Sequence, residues 1–154
     1  MKRGDWYAPY VAFAKRYGIA NGYLDGTFRP EQPVSRAELV KLIASYFTVE
    51  GGTSPFPDVP AGHWAAEVVS FAAEEGWVSG YPDGTFRPDA PVSRAEAVKI
   101  LNHALDRRAG ERAAALPFTD VEKGHWACDE IREAAVSHTY RKSGGGETWL
   151  TYER

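Results

Sequence analysis

The chain of 154 residues carries 18 Lys and Arg against 21 Asp and Glu, a formal net charge of -3, with 44% hydrophobic and 25% charged residues. That balance is globular, offers no basic field for nucleic acid, and includes no apolar run near the ~18 residues that span a bilayer. A single cysteine, Cys128, excludes an intrachain disulfide framework.

Met1-Lys2-Arg3 leads into Gly4-Asp5 with no apolar leader. Two readings stay open: an intracellular protein, or a piece of an exported one whose signal peptide lies outside this chain. Trp6, Tyr10, Phe13 and Tyr17 then recur at i, i+4, i+7 and i+11, with Val11 and Ala14 widening the stripe, and predict an amphipathic helix. Pro9 falls in its first turn and Gly18 stops it. Gly22-Tyr-Leu-Asp-Gly-Thr-Phe28 follows, where Asp-Gly between aromatics signals a tight turn. Ser35-Arg-Ala-Glu38 opens a second helix with a capping box, and Leu39, Val40, Leu42, Ile43, Tyr46 and Phe47 give it a wide apolar face.

After the connector Glu50 to Pro55 the pattern returns. Between Trp6–Ile43 and Trp64–Leu101, 22 of 38 positions are identical, so the chain is built from copies of one unit. The second copy holds Trp64, the loop Gly80 to Phe86 and the capping box Ser93-Arg-Ala-Glu96. Arg107 to Leu116 reads as a second connector that prolongs the preceding helix before breaking. Phe118-Thr-Asp-Val-Glu-Lys-Gly-His-Trp126 then echoes Phe56 to Trp64 at an offset of 62. A helix from about Trp126 to Ser137 is predicted, with Ile131, Ala134 and Ala135 inward. The loop and second helix do not follow; Gly144 to Gly146 reads as a turn and Glu147 to Tyr152 as a short strand or coil. The expected units are 1–49, 55–116 and 117–154, packed together as one domain because a single unit lacks a sufficient core.

Phe-x-Asp-Val, Gly-His-Trp-Ala, Gly-Tyr-x-Asp-Gly-Thr-Phe-Arg-Pro and Ser-Arg-Ala-Glu together resemble the S-layer homology (SLH) family, over nearly all of residues 4 to 138. The tail, with His138, Tyr140, Glu147 and Trp149, resembles a shortened terminal SLH repeat. The resemblance implies an all-α, pseudo-threefold helical bundle of three repeats, here with the first and last incomplete, and long ordered loops. It further implies grooves between repeats that bind secondary cell-wall polysaccharide attached to peptidoglycan, often carrying a pyruvate ketal. The expected location is extracellular, in the cell wall or S-layer, with anchoring rather than catalysis and no cofactor.

Arg36 and Arg94 stand at the first helical position, where the helix dipole disfavours a cation. One reading makes them, with the helix N-terminal amides, an anion site suited to a carboxylate. The other has Arg36 pair with Glu38, Asp25 or a loop carbonyl and brace the turn. Trp6, Trp64 and Trp126 offer flat apolar faces to a sugar, or else pack between repeats. Asp25 and Asp83 accept sugar hydroxyls, or build the turn. Gly26 and Gly84 supply the turn and a close backbone approach. All nine are the candidate ligand-binding residues, with at most two sites. Asp5, His63 and His125 read as local caps. His125, Cys128 and His138 lack a fourth zinc ligand, so no metal is expected. The acids recur at repeat positions, which speaks for scaffold over a carboxylate pair for glycoside hydrolysis. A protein-interaction or self-assembly module is the alternative function.

Overall fold

Both Ser-Arg-Ala-Glu segments start a helix. The computed structural model describes residues 4–107, 115–143 and 146–152. Helices α1 (Ala8–Arg16), α2 (Arg36–Ala44), α3 (Ala66–Glu74), α4 (Arg94–Ala104) and α5 (Cys128–Ala135) precede a hairpin of β1 (His138–Ser143) and β2 (Gly146–Tyr152). Both capping boxes form: Ser35 Oγ accepts from the Glu38 amide while Glu38 Oε2 accepts from the Ser35 amide, and Ser93 and Glu96 repeat the exchange. His63 and His125 cap as expected, each Nδ1 lying 3.2 Å from the amide two residues on. Gly76, at φ 72°, closes α3 as Trp77 N–H turns back to Ala72 O at 2.8 Å.

The core lies between the units. Val40, Ile43 and Ala44 of α2 meet Ala66, Val69 and Ala72 of α3, with Phe56, Val59, Trp77, Phe86 and Ile100 filling the remainder. Helix α2 packs on α3, α4 on α5, and α2 meets α4. The Phe-Pro-Asp-Val segment fixes the second loop: Asp58 Oδ1 and Oδ2 accept from the Phe86 and Arg87 amides at 2.9 and 2.7 Å, and the Phe56 ring packs 5.4 Å from that of Phe86.

Three expectations are corrected. The fold is mostly helical rather than all-α, because residues 138–152 pair as an antiparallel hairpin in which Thr139 faces Thr151 and Tyr140 faces Trp149; β-branched and aromatic residues suit that surface. The α1 stripe is exposed, with Trp6 80%, Tyr10 69%, Phe13 57% and Tyr17 61% accessible, and only Ala8 of α1 is buried. In α5 the buried residues are Cys128, Arg132 and Glu133, whereas Ala134 and Ala135 face outward, because the hairpin covers the face that bears Glu133. Gly26 and Gly84 form the expected turns with φ of 81° and 80°, and no protein atom lies within 4 Å of a Cβ added there. Close approach within the protein falls at Gly22, where a Cβ would meet Thr27 O at 2.7 Å, and at Gly80, where it would meet the Phe56 ring at 2.5 Å. The connector helix lies largely outside the described residues, as does the Gly144-Gly145 part of the turn.

Gly84→Ala is expected to cost about 1 kcal/mol for its left-handed backbone, and Gly80→Ala distinctly more because Phe56 must also move. Urea denaturation of the two variants compares them; equal costs would refute the packing role of Gly80.

Candidate functional site

The site starts from the first turn of α2. Its orphan amides are filled from the neighbouring unit: Arg36 N–H donates to Ala90 O and Ala37 N–H to Pro88 O, both at 3.0 Å, while Val92 N–H donates to Val34 O at 3.1 Å. The expected anion site built on these amides is therefore corrected at α2, since loop carbonyls already satisfy them.

This junction carries the Arg36 side chain into the second unit, where it is 6% exposed. Its Nε donates to Phe86 O and its Nη1 to Glu96 Oε1, both at 3.0 Å. The guanidinium lies 4.9 Å from the Tyr81 ring centre and 5.0 Å from that of Phe86. Among the described residues, no hydrogen-bond partner of Nη2 is found. Arg36 thus does brace a loop through a carbonyl and a glutamate, but both belong to the next unit.

Glu96 is the hub. Its Oε1 also accepts from Tyr81 OH at 2.6 Å, and Oε2 from Ser93 N–H and Oγ at 2.9 and 2.7 Å. Burial alone would raise its pKa, but the Tyr81 and Ser93 hydrogen bonds and the Arg36 charge outweigh it and hold the carboxyl below its ordinary 4.5. Burial and the bond to Glu96 push the Tyr81 phenol up, so it remains a donor.

Around this hub Arg36, Gly80, Tyr81, Glu96, Lys99 and Trp126 line a cavity of about 210 Å³. Lys99 Nζ sits 5.8 Å from the Trp126 ring centre, with no carboxylate in ion-pair reach among the described residues. Two cations against one carboxylate leave the cavity with a net positive charge. Its parts come from three units: the arginine from the first, the loop and lysine from the second, the tryptophan from the third.

The first unit repeats this arrangement without its arginine. Tyr23 OH donates to Glu38 Oε1 at 2.6 Å and Lys41 Nζ lies 5.2 Å from the Trp64 ring centre. Arg94 is exposed, with no hydrogen bond or ion pair found for its side chain among the described residues, and in the sequence the hairpin follows α5 where the other units have a loop. Trp64 and Trp126 are 52% and 59% exposed. Asp25 and Asp83 are turned into their own loops: Asp25 Oδ1 accepts from Thr27 N–H and Oγ1, and Oδ2 from Arg29 Nη2 at 2.8 Å, with Asp83, Thr85 and Arg87 matching. These bonds, Thr27 and Thr85 foremost, hold both carboxyls well below the usual range. Arg29 and Arg87 lie 4.1 and 4.0 Å from the Tyr23 and Tyr81 ring centres and brace the turns. The sequence reading missed Lys41 and Lys99; their signal was recurrence three residues after each capping glutamate.

Arg36→Ala is expected to cost about 1.5–3 kcal/mol at pH 7, the worth of hydrogen bonds to charged groups. Because the folded pKa of Glu96 is depressed, its contribution is full above the ordinary glutamate range and is lost as pH falls through the folded value. The cost of Arg36→Ala should therefore shrink below about pH 4; a cost independent of pH in denaturant titrations would contradict the clasp.

A model of the S-layer homology domain matches residues 1–40 and 55–98. The chain is 36% identical over 147 residues to cell surface glycoprotein 1 of Acetivibrio thermocellus, covering 88% of this chain and 6% of that protein. It is 34% identical over 154 residues to the cellulosome-anchoring protein of the same organism, covering 96% and 34%. An S-layer protein of Bacillus licheniformis is 41% identical over 117 residues, covering 70% and 13%. The chain thus spans about a third or less of the length of each of these relatives, and it belongs to the S-layer homology domain family.

Proposed function

We propose that this chain is a non-covalent cell-surface anchor that binds an anionic secondary cell-wall polysaccharide in the cavity beside Arg36. The observation that carries this reading is the convergence of Arg36, Lys99 and the exposed Trp126 on one cavity with net positive charge. A pyruvyl carboxylate would take its charge-assisted hydrogen bonds from Arg36 and Lys99, and the sugar ring would lie on the indole. Tyr81 and Glu96 hold the arginine in place. The cell-surface setting of the relatives agrees with this role, and the matched residues are the module rather than any enzyme attached to it.

The units 1–49, 55–116 and 117–154 then cooperate in one complete groove, and the Tyr23, Glu38, Lys41 and Trp64 set is a second that lacks its arginine. Trp6, Asp25, Gly26, Asp83 and Gly84 serve the scaffold in this reading, and Arg94 makes no contact with the glycan.

A protein-docking role is the second reading, favoured by the exposed aromatic stripe of α1. Co-sedimentation with cell walls before and after the secondary polymer is stripped separates the two: the anchor loses binding, and binding that survives unchanged refutes it. By isothermal titration with a defined pyruvylated saccharide, Lys99→Ala and Trp126→Ala are each expected to weaken binding about tenfold or more. Arg94→Ala should leave it unchanged; equal losses at Arg94 would overturn the assignment of the groove.

A further inference from the structure

The C-terminal hairpin is joined to α5 through a buried cluster that the glycan reading leaves unused. Glu133 stands where α3 carries the aromatic Phe71, 62 residues earlier, and is 1% exposed. Its Oε2 accepts the Trp149 indole N–H at 2.9 Å, which turns Oε1 toward His138. His138 Nε2 lies 3.1 Å from that oxygen, in a side chain that is 1% exposed and stacked 3.9 Å from the Trp149 ring.

The other imidazole nitrogen decides what stands between them. Nδ1 is 2.7 Å from Val136 O, so Nδ1 carries the proton and donates it to the carbonyl. That leaves Nε2, which faces the Glu133 oxygen with Arg107 Nη2 3.4 Å away, as the nitrogen able to meet a cation. Histidine metal ligands are commonly oriented by this same second hydrogen bond to a backbone carbonyl.

Glu147 comes in from β2, 8% exposed, and neither of its carboxylate oxygens has a hydrogen-bond partner. Burial pushes its pKa up, and the Glu133 charge adds to the shift. One ligand atom from each of Glu133, His138 and Glu147 lies within 4.8 Å of the others. Metal bonds of about 2.0–2.2 Å at tetrahedral angles set ligand atoms about 3.3–3.6 Å apart, so the ligands must close in, and Glu147, a carboxylate with no hydrogen bond to break, is the one free to move. Of the set considered from sequence, His138 belongs to this group and His125 and Cys128 do not.

The geometry points to a divalent-cation site of zinc type, one imidazole nitrogen and two carboxylates, that fastens the hairpin to α5. The donor set suits zinc and its neighbours, Co²⁺ included, better than calcium or magnesium, which take oxygen ligands. Arg107 is the competing cation: its Nη2 is 3.1 Å from Glu133 Oε1 and 3.4 Å from His138 Nε2, and at 33% exposure its side chain has a route to solvent. A bound ion displaces it from Glu133.

The test is titration of chelator-treated protein with ZnCl2 by calorimetry and with CoCl2 by visible absorption. One equivalent is expected to bind with a rise in melting temperature, and Co²⁺ should give nitrogen-and-oxygen d–d bands without a thiolate charge-transfer band. Glu147→Gln should weaken binding at least tenfold with near-ultraviolet circular dichroism retained, and Arg107→Ala, which keeps all three ligands, should tighten it. Absence of stoichiometric binding, a thiolate band from Cys128, or affinity unchanged in Glu147→Gln would overturn the site. If Glu147→Gln does not fold, Arg107→Ala decides: tighter binding supports the site, and equal or weaker binding refutes it. Glycan affinity lies outside these outcomes, so failure here leaves the anchor reading standing.

Discussion

A guanidinium taken out of water must be paired and hydrogen-bonded, and Arg36 meets that requirement only by reaching into the next repeat. It leaves its own helix at the first turn and ends between Phe86 O and Glu96. Glu96 is at once its ion partner, the capping residue of α4 and the acceptor for Tyr81. One carboxylate therefore ties a helix start, a loop and a neighbouring repeat together. The carbonyls of Pro88 and Ala90 complete the junction by capping α2 from outside. Among the described residues, this junction forms where α2 meets the loop of the following repeat.

Local structure was legible because each signal was local. The Ser-x-x-Glu boxes, the stop at Gly76 and the Asp-Gly turns need only nearby residues, and the structure forms them. Partner choice was not legible, because repetition itself hides it: Arg36 has Glu38 and Asp25 within its own unit, and their counterparts Glu96 and Asp83 in the next. Packing alone selects Glu96. Lys99 was missed for a related reason, since a lysine on a helix reads as solvated until a tryptophan from the third unit is placed beside it.

Helix α5 misled through burial. Apolar periodicity favoured Ala134 and Ala135, yet the hairpin covers Glu133, with the Trp149 indole donating to Oε2 and Arg107 lying 3.1 Å from Oε1. The partners lie on different elements, so no spacing rule joins them. At the opposite end the regular stripe of α1 stays exposed. Periodicity identified the helix but not what lies against it. Past α4 the chain thus brings Trp126 to the cavity beside Arg36 and the hairpin onto α5.

The central claim is that one groove, assembled from three repeats around Arg36, holds the ligand. Two-dimensional NMR of the ¹⁵N-labelled chain during addition of a pyruvylated wall saccharide tests it most directly, because each tryptophan indole reports separately. The account predicts saturable shifts at the Trp126 indole and the Gly80 and Tyr81 amides, with the Trp64 and Trp6 indoles unmoved. Equal shifts at Trp64, or shifts confined to α1, would contradict it.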